Sequence, residues 1–181
     1  MTLALDHVLY ATSDLDAASE RLGLEVRPGG VHEGQGTHNR IVPLGETYLE
    51  LIAISDRDEA AAHPFGSRVL DREGLIGWAV RVDDVEAVAA RLGTGVLTIR
   101  RAGLEGRLTG VEAALDEPTL PFFIQGTSRP GEGGRERLTF LEVAGDASRL
   151  RAWLGGVDLG VRVVEGEPAV RAIGIGERTI R

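Results

Sequence analysis

Apolar and polar positions follow one pattern in three stretches of the chain, from Leu3 to Gly23, from Ile76 to Gly93 and from Leu138 to Gly155. Each stretch begins with an apolar run typical of a half-buried strand, continues through an aspartate into an amphipathic segment, and ends at Leu-Gly. An aspartate can accept the free amides of a first helical turn, and a glycine can adopt the left-handed conformation after the last turn. The pattern therefore predicts a strand followed by a capped helix in each stretch.

The spacing of the capping residues is the same in the three stretches. Asp14 precedes Gly23, Asp84 (or its neighbour Asp83) precedes Gly93, and Asp146 precedes Gly155. A strand and helix ending in Leu-Gly is common in α/β proteins, but equal spacing in three places favours internal repetition over three unrelated elements.

Further short strand-like runs follow each helix, separated by glycine-rich turns. We expect them at 24–27, 37–44 and 47–54, at 95–101, 110–115 and 121–125, and at 160–164 and 169–176. The chain is thus predicted to be one α+β domain over residues 1–181, built from β-α-β-β-β modules at about 1–55 and 75–126 and a partial third at 136–181. The stretches 56–74 and 126–134 are interpreted as connecting loops. The first of them could fold over a site, but a linker is the preferred interpretation.

Composition narrows the class of protein. Hydrophobic residues make up 43% and charged residues 27% of the chain, which are ordinary globular values. No apolar run approaches the roughly 20 residues of a membrane helix, so we expect a cytoplasmic protein without membrane contact. A net charge of −8 argues against a nucleic-acid partner and favours a small molecule. Without cysteine, the metal or acid-base groups must come from His, Asp and Glu.

Three segments in order carry a family resemblance: Leu5-Asp6-His7-Val8, the run GGVHEGQGTHN at 29–39, and Tyr48-Leu49-Glu50-Leu51-Ile52. Together they resemble the vicinal oxygen chelate superfamily, which includes glyoxalase I, extradiol dioxygenases and bleomycin-resistance proteins, and its glyoxalase-like domain branch in particular. The resemblance implies that two modules pair into a curved mixed sheet that forms a cup, with helices on the outer face. It also implies a small-molecule site in the cup, usually with a divalent metal. We expect the first and second modules to form this pair.

The resemblance implies metal ligands on the first and last strands of each paired module, which are His7 and Glu50 in the first. In the second module, counting back from Asp84 leads to Gly77, which cannot bind a metal, and Gln125 is the expected counterpart of Glu50. This donor set would suit Zn, Ni, Mn or Fe.

The period of two along a strand places His7 on a face with Leu5, Leu9 and Ala11, and Glu50 on a face with other apolar residues. Buried ionised groups need partners on such faces. A metal would satisfy both groups. A metal-free cup in which they bond to each other or to the backbone is the open alternative.

Other residues are candidates for substrate binding. The family-like segment suggests His32 and Asn39, with stabilisation of a glycine-rich turn as the alternative role. Arg40 could hold an anion in the cup, although a surface ion pair is the more common role of such an arginine. Trp78, Phe122 and Phe123 would supply apolar walls or plain core.

The resemblance implies a metal-assisted lyase, isomerase or dioxygenase acting on a small oxygen-bearing molecule, with Glu50 moving a proton. A non-catalytic protein that binds or sequesters a small molecule in the same cup is the alternative, which Gly77 and Gln125 favour. The partial third module would leave a strand edge to cover, so a homodimer is possible in either case.

Overall fold

The computed structural model describes residues 2–101 and 104–181, with the side chains of residues 101 and 104 left out of the description. Within these residues the strands are β1 (Leu3–Ala11), β2 (Arg27–His32), β3 (Thr37–Leu44), β4 (Thr47–Ile54), β5 (Gly74–Val82), β6 (Val96–Arg101), β7 (Leu104–Thr109), β8 (Phe122–Gln125), β9 (Leu138–Ala144), β10 (Arg162–Val164), β11 (Ala169–Ile175) and β12 (Arg178–Ile180). The helices are α1 (Leu15–Leu22), α2 (Arg57–Ala62), α3 (Pro64–Val69), α4 (Val85–Leu92), α5 (Val111–Asp116) and α6 (Ala147–Trp153).

The capped helices of the repeated pattern are confirmed. The carboxylates of Asp14, Asp84 and Asp146 accept backbone amides at the starts of α1, α4 and α6. Gly23 and Gly93 end α1 and α4 with φ of +58° and +68°. In α6 the capping position falls one residue earlier, on Leu154, and Gly155 follows with φ of +68°.

Eight strands from the first two modules form one curled sheet in the order β1-β4-β3-β2-β6-β7-β8-β5. β1 and β5 run antiparallel at the module junction, while β1–β4 and β5–β8 are parallel pairs. At the other junction, one registered pair, His32↔Arg101, joins β2 and β6 within the described ranges. The first and second modules therefore pair as expected, and the α+β class with a curved mixed sheet is confirmed.

Helices cover the outer face of this sheet. Leu15 and Ala18 of α1 and Val85 and Val88 of α4 belong to one core cluster with strand residues such as Leu49. Burial of these apolar side chains is the main stabilising term, and it determines which strand face turns away from the cup. None of the helices in the described part of the chain is long and apolar enough to cross a membrane.

The third module has the expected succession of elements but a different sheet. Its strands lie in the order β10-β9-β11-β12, with β9 between the parallel β10 and the antiparallel β11. In the first module, by contrast, the first strand pairs with the fourth. Leu141, Val143 and Ile173 of the small sheet belong to the same core cluster as the outer face of the curled sheet.

Three predictions of secondary structure were wrong. A strand was expected at 24–27, but β2 runs through Pro28-Gly29-Gly30. Gly29 allows the β3 backbone to come close, since a Cβ there would lie 2.4 Å from the carbonyl oxygen of Asn39. The expected strand at 110–115 is the helix α5, and β7 lies before it. The stretch 56–74, interpreted as a loop, contains α2 and α3.

Candidate functional site

A β-bulge near the start of β1 turns two polar side chains into the cup. The register with β5 shifts between Leu5 and His7, so Asp6 is the extra residue of the bulged strand. Asp6 and His7 both line the cavity of the cup, whereas Leu5 packs with the helix-side core. The expectation that Leu5 shares a face with His7 is therefore wrong, because strict alternation fails across a bulge.

Glu50 is the centre of a buried polar network. His7 Nε2 lies 3.4 Å from Glu50 Oε2, and His32 Nε2 lies 3.3 Å from Glu50 Oε1. Asn39 Nδ2 donates a short hydrogen bond to Glu50 Oε1. Only 5% of Glu50 is exposed, so its charge depends on these donors. The structure thus brings together four of the predicted site residues.

Further side chains hold the two imidazoles in place. His7 Nδ1 lies 2.8 Å from Asp6 Oδ2, and the ring stacks on Tyr48 with a centroid distance of 4.7 Å. His32 Nδ1 lies 2.8 Å from Thr37 Oγ1. Each histidine therefore has one ring nitrogen engaged by its support and presents the other to Glu50. The sequence reasoning assigned no role to Asp6 or Thr37, although both lie in the family-like segments.

The network forms the polar end of a cavity of about 340 Å³, a volume suited to a small molecule. Apolar side chains line much of the remaining wall, namely Leu9, Phe65, Leu97, Ile99, Leu108, Val111, Phe122 and Ile124. Arg81 also lines the cavity, 3.5 Å from Asp6 through its Nη1. Arg81 had not been predicted as part of the site, whereas Phe122 had been named as an apolar wall or plain core.

Gln125 does not face the cavity. Its Oε1 accepts the amide of Val85 at 3.0 Å, and its Nε2 donates to the carbonyl of Asp83 at 2.8 Å. The side chain therefore stabilises the start of α4, on the opposite face of the sheet from the network. Gln125 was expected beside His7 and Glu50, but the structure places it elsewhere. β8 turns Phe122 and Ile124 inward and the alternate residues, including Gln125, outward.

Arg40, Trp78 and Phe123 also lie on the helix side. Arg40 Nη1 is 2.7 Å from Asp16 Oδ1, so the surface ion pair is the arrangement observed. Trp78 is fully buried and donates from Nε1 to the carbonyl of Thr119. Phe123 is fully buried beside Trp153. These three residues were candidates for the cup. The strand face that each occupies gives it the alternative role, a surface ion pair for Arg40 and plain core for Trp78 and Phe123.

The second module offers no counterpart of the Glu50 carboxylate. Leu9 and Ala79 each lie six residues before the first helical residue of their module, so they are equivalent. On the neighbouring parallel strands, Leu9 pairs with Glu50 and Ala79 pairs with Phe122. The same count makes Gly77 the residue equivalent to His7. Phe122, rather than Gln125, is therefore the residue equivalent to Glu50.

The donors present do not fit the metal site that the resemblance implies. No cluster of three or more His, Asp and Glu suited to a metal ion occurs among the described residues. His7 and His32 approach different oxygens of Glu50, so the carboxylate lies between the two imidazoles. Gly77 and Phe122 add no donor from the other module. The arrangement is that of a hydrogen-bonded carboxylate.

A model of the glyoxalase-like domain matches residues 5–154 of the chain. Among solved structures, a hypothetical protein from Staphylococcus aureus is similar over 94% of this chain and 88% of its own, with 18% identity and a TM-score of 0.75. No curated protein matches the chain.

Methylmalonyl-CoA epimerases are also structurally similar. A variant of the Streptomyces coelicolor enzyme in complex with 2-nitronate-propionyl-CoA is 24% identical and matches 71% of this chain and 99% of its own, with a TM-score of 0.53. The Mycobacterium tuberculosis enzyme is 21% identical over 69% of this chain and 89% of its own, with a TM-score of 0.50. At these identities the similarity shows a shared fold.

Proposed function

The chain belongs to the glyoxalase-like domain family, and from this premise we propose that it is an enzyme that moves a proton on a small oxygen-bearing molecule, with Glu50 as the general acid-base. One observation carries the proposal. A buried carboxylate, flanked by two imidazoles, stands at the polar end of an otherwise largely apolar cavity. Such a group can take a proton from a carbon next to a carbonyl and return it to another position.

His7 is placed to assist this transfer. Its two ring nitrogens face the carboxylates of Asp6 and Glu50 at 2.8 and 3.4 Å. A proton received by Glu50 can therefore move to the imidazole, where Asp6 stabilises the resulting positive charge. His32 and Asn39 hold the other oxygen of Glu50, so that the carboxylate keeps one orientation.

The cavity indicates the kind of substrate. Its polar end can bind neighbouring oxygens, and Arg81 favours an oxygen that is negatively charged or becomes so during the reaction. The apolar walls suit an aliphatic or aromatic body. Isomerase and lyase reactions both begin with loss of a proton from carbon and are covered by the proposal. A dioxygenase needs a redox metal, which the donor set does not fit.

Non-catalytic binding is the second candidate. In the second module, the apolar residue Phe122 and Gly77, which has no side chain, are the equivalents of Glu50 and His7. A cavity with the carboxylate and imidazole of only one module would serve a protein that binds a mostly apolar compound without changing it.

Exchange of carbon-bound hydrogen tests the proposal. The protein is incubated in D₂O with pyruvate, 2-oxobutyrate, phenylpyruvate or the corresponding 2-hydroxy acids, and loss of the proton signal is followed by NMR. We expect the wild type to exchange carbon-bound hydrogen in at least one compound. The exchange rate should fall about 100-fold or more in Glu50→Gln, because general acid-base catalysis contributes about 10²- to 10⁴-fold. The control, Glu20→Gln on the exposed face of α1, should exchange like the wild type.

Two outcomes contradict the enzyme proposal. Equal exchange by wild type and Glu50→Gln would remove Glu50 from the reaction. Saturable binding of a compound by the wild type, without exchange at any position, would favour the non-catalytic cup.

A further inference from the structure

The connection between the first and second modules places a histidine in the wall of the cavity. His63 lies between α2 and α3 and precedes Pro64, the first residue of α3. It lines the same cavity as Glu50 and His7. The sequence interpretation treated this stretch as a linker and assigned no function to its histidine.

Hydrogen bonding determines the tautomer of His63. Its Nδ1 accepts the backbone amides of Phe65 at 3.2 Å and Gly66 at 3.4 Å. A nitrogen that accepts amides carries no proton, so a neutral His63 must carry its proton on Nε2. No other hydrogen bond of this ring occurs among the residues that the structure describes.

We propose that His63 is a substrate-positioning residue, whose Nε2–H donates a hydrogen bond to an oxygen of the molecule bound in the cavity. The inference rests on the proposed function, because His63 would supply the donor for one oxygen of the substrate of that reaction. A neutral imidazole can polarise a carbonyl without giving up its proton. Glu50 then acts on a carbon of the substrate, while His63, which lies in the connection between the modules, holds one of the substrate oxygens.

The choice of residue at this helix start supports the proposal. Ser, Thr, Asp and Asn are the usual residues that cap a helix, and each would satisfy the amides of Phe65 and Gly66 with a short side chain. Histidine caps α3 with one nitrogen and still has a second nitrogen, which the cap leaves unused. Desolvation lowers the pKa of His63, and the smaller opposing effect of Glu59 does not reverse this. The neutral ring, which can accept the amides at Nδ1 and donate from Nε2, is therefore favoured at neutral pH.

Two substitutions separate capping from donation. His63→Asn keeps a capping side chain and removes the distal N–H, whereas His63→Ala removes both. If His63 is a donor, His63→Asn should unfold at nearly the wild-type temperature but bind phenylpyruvate about tenfold more weakly, as expected for loss of one hydrogen bond to a charged acceptor. His63→Ala should lose both thermal stability and affinity.

The tautomer is measured directly by long-range ¹H–¹⁵N NMR on the ring. We expect a protonated Nε2 and an unprotonated Nδ1 at pH 7.5. A protonated Nδ1 overturns the proposal, and so does wild-type affinity for phenylpyruvate in His63→Asn. Failure of phenylpyruvate and 2-oxobutyrate to bind the wild type also overturns it, since the donor would then have no acceptor of this class.

The two proposals can fail separately. Glu50→Gln should lose exchange while retaining most of its affinity for phenylpyruvate, whereas His63→Asn should raise KM more than it lowers kcat. Exchange that survives in Glu50→Gln, together with weakened binding in His63→Asn, would reject Glu50 as the base and keep His63 as the donor.

Discussion

Glu50 shows how far single residues could be assigned from the sequence. The family-like segments identified His7, His32, Asn39 and Glu50 as candidates, and the structure brings the four together. Their catalytic or binding roles stay predictions. Asp6 was missed because its neighbour His7 would normally point to the opposite face of a strand. Its orientation depends on the bulge, which no local pattern in the sequence indicates.

Acid should destabilise the protein partly through His63. Its pKa in the folded protein is lowered below the ordinary value of 6.5, chiefly by desolvation. Below that ordinary value the unfolded chain binds a proton that the folded ring resists, so the free energy of unfolding falls as the pH drops through this range, until the folded ring also titrates. The loss is absent at higher pH, where both states are neutral.

Urea unfolding at pH 7.5, 6.0 and 5.0 measures this effect. The wild type should lose more stability on acidification than His63→Asn, which has no titratable group at this position. Identical pH dependence in the two proteins would show that His63 titrates alike in the folded and unfolded states.

At the scale of secondary structure, the elements with local determinants were predicted best. The caps of α1 and α4 lie in the same short segments as the helices they end, so their spacing could be read along the chain. β2 has no such local signal. Its residues 28–30 are typical of a turn, and the strand forms because β3 packs against it.

Gly29 is where this packing is tightest. A Cβ at Gly29 would lie 2.0 Å from Asn39 Oδ1 and 2.4 Å from the carbonyl oxygen of Asn39. Gly29→Ala should therefore push β2 away from β3 and disturb the hydrogen bond from Asn39 to Glu50. We expect a loss of about 1–3 kcal/mol in the free energy of unfolding. We also expect slower exchange of the carbon-bound hydrogen of the substrate in D₂O.

Gly95→Ala is the matched control, because a Cβ there has nothing within 4 Å. Chemical unfolding and the exchange assay should find this control close to the wild type. A Gly29→Ala protein as stable and active as Gly95→Ala would show that the contact with Asn39 relaxes without cost.

At the scale of the whole molecule, the pairing of two modules decides what the cup contains. The first module supplies His7, His32 and Glu50, and the second supplies Phe122, Ile124 and Arg81. The two halves share a fold and contribute different chemistry to the cavity. A homodimer, a single domain over the whole chain and a cytoplasmic location stay predictions.

This asymmetry predicts weak metal binding. Protein purified without chelator or nickel resin should contain well under one metal ion per chain by elemental analysis, also after incubation with Zn, Ni, Mn or Fe. Gly77 and Phe122 provide no ligands to complete the site, and an incomplete donor set holds a divalent ion poorly.

A double substitution, His7→Ala with Glu50→Ala, provides the comparison for metal content. One ion per chain in the wild type, lost in this variant, would contradict the prediction. Such a result would mean that the Glu50 carboxylate moves from between the imidazoles to bind the ion together with them.

The modules and the capped helices could be predicted from the sequence alone, because they follow from spacings within short segments. The candidates His7 and Glu50 came from the resemblance of three such segments to the glyoxalase-like domain family. The tertiary structure decided which neighbours enter the cup: Asp6 through a bulge, Phe122 rather than Phe123 or Gln125 through the register of β8, and His63 through the position of α3. Register and the placement of connecting segments depend on contacts between residues distant in the chain. Local periodicity contains no information about such contacts.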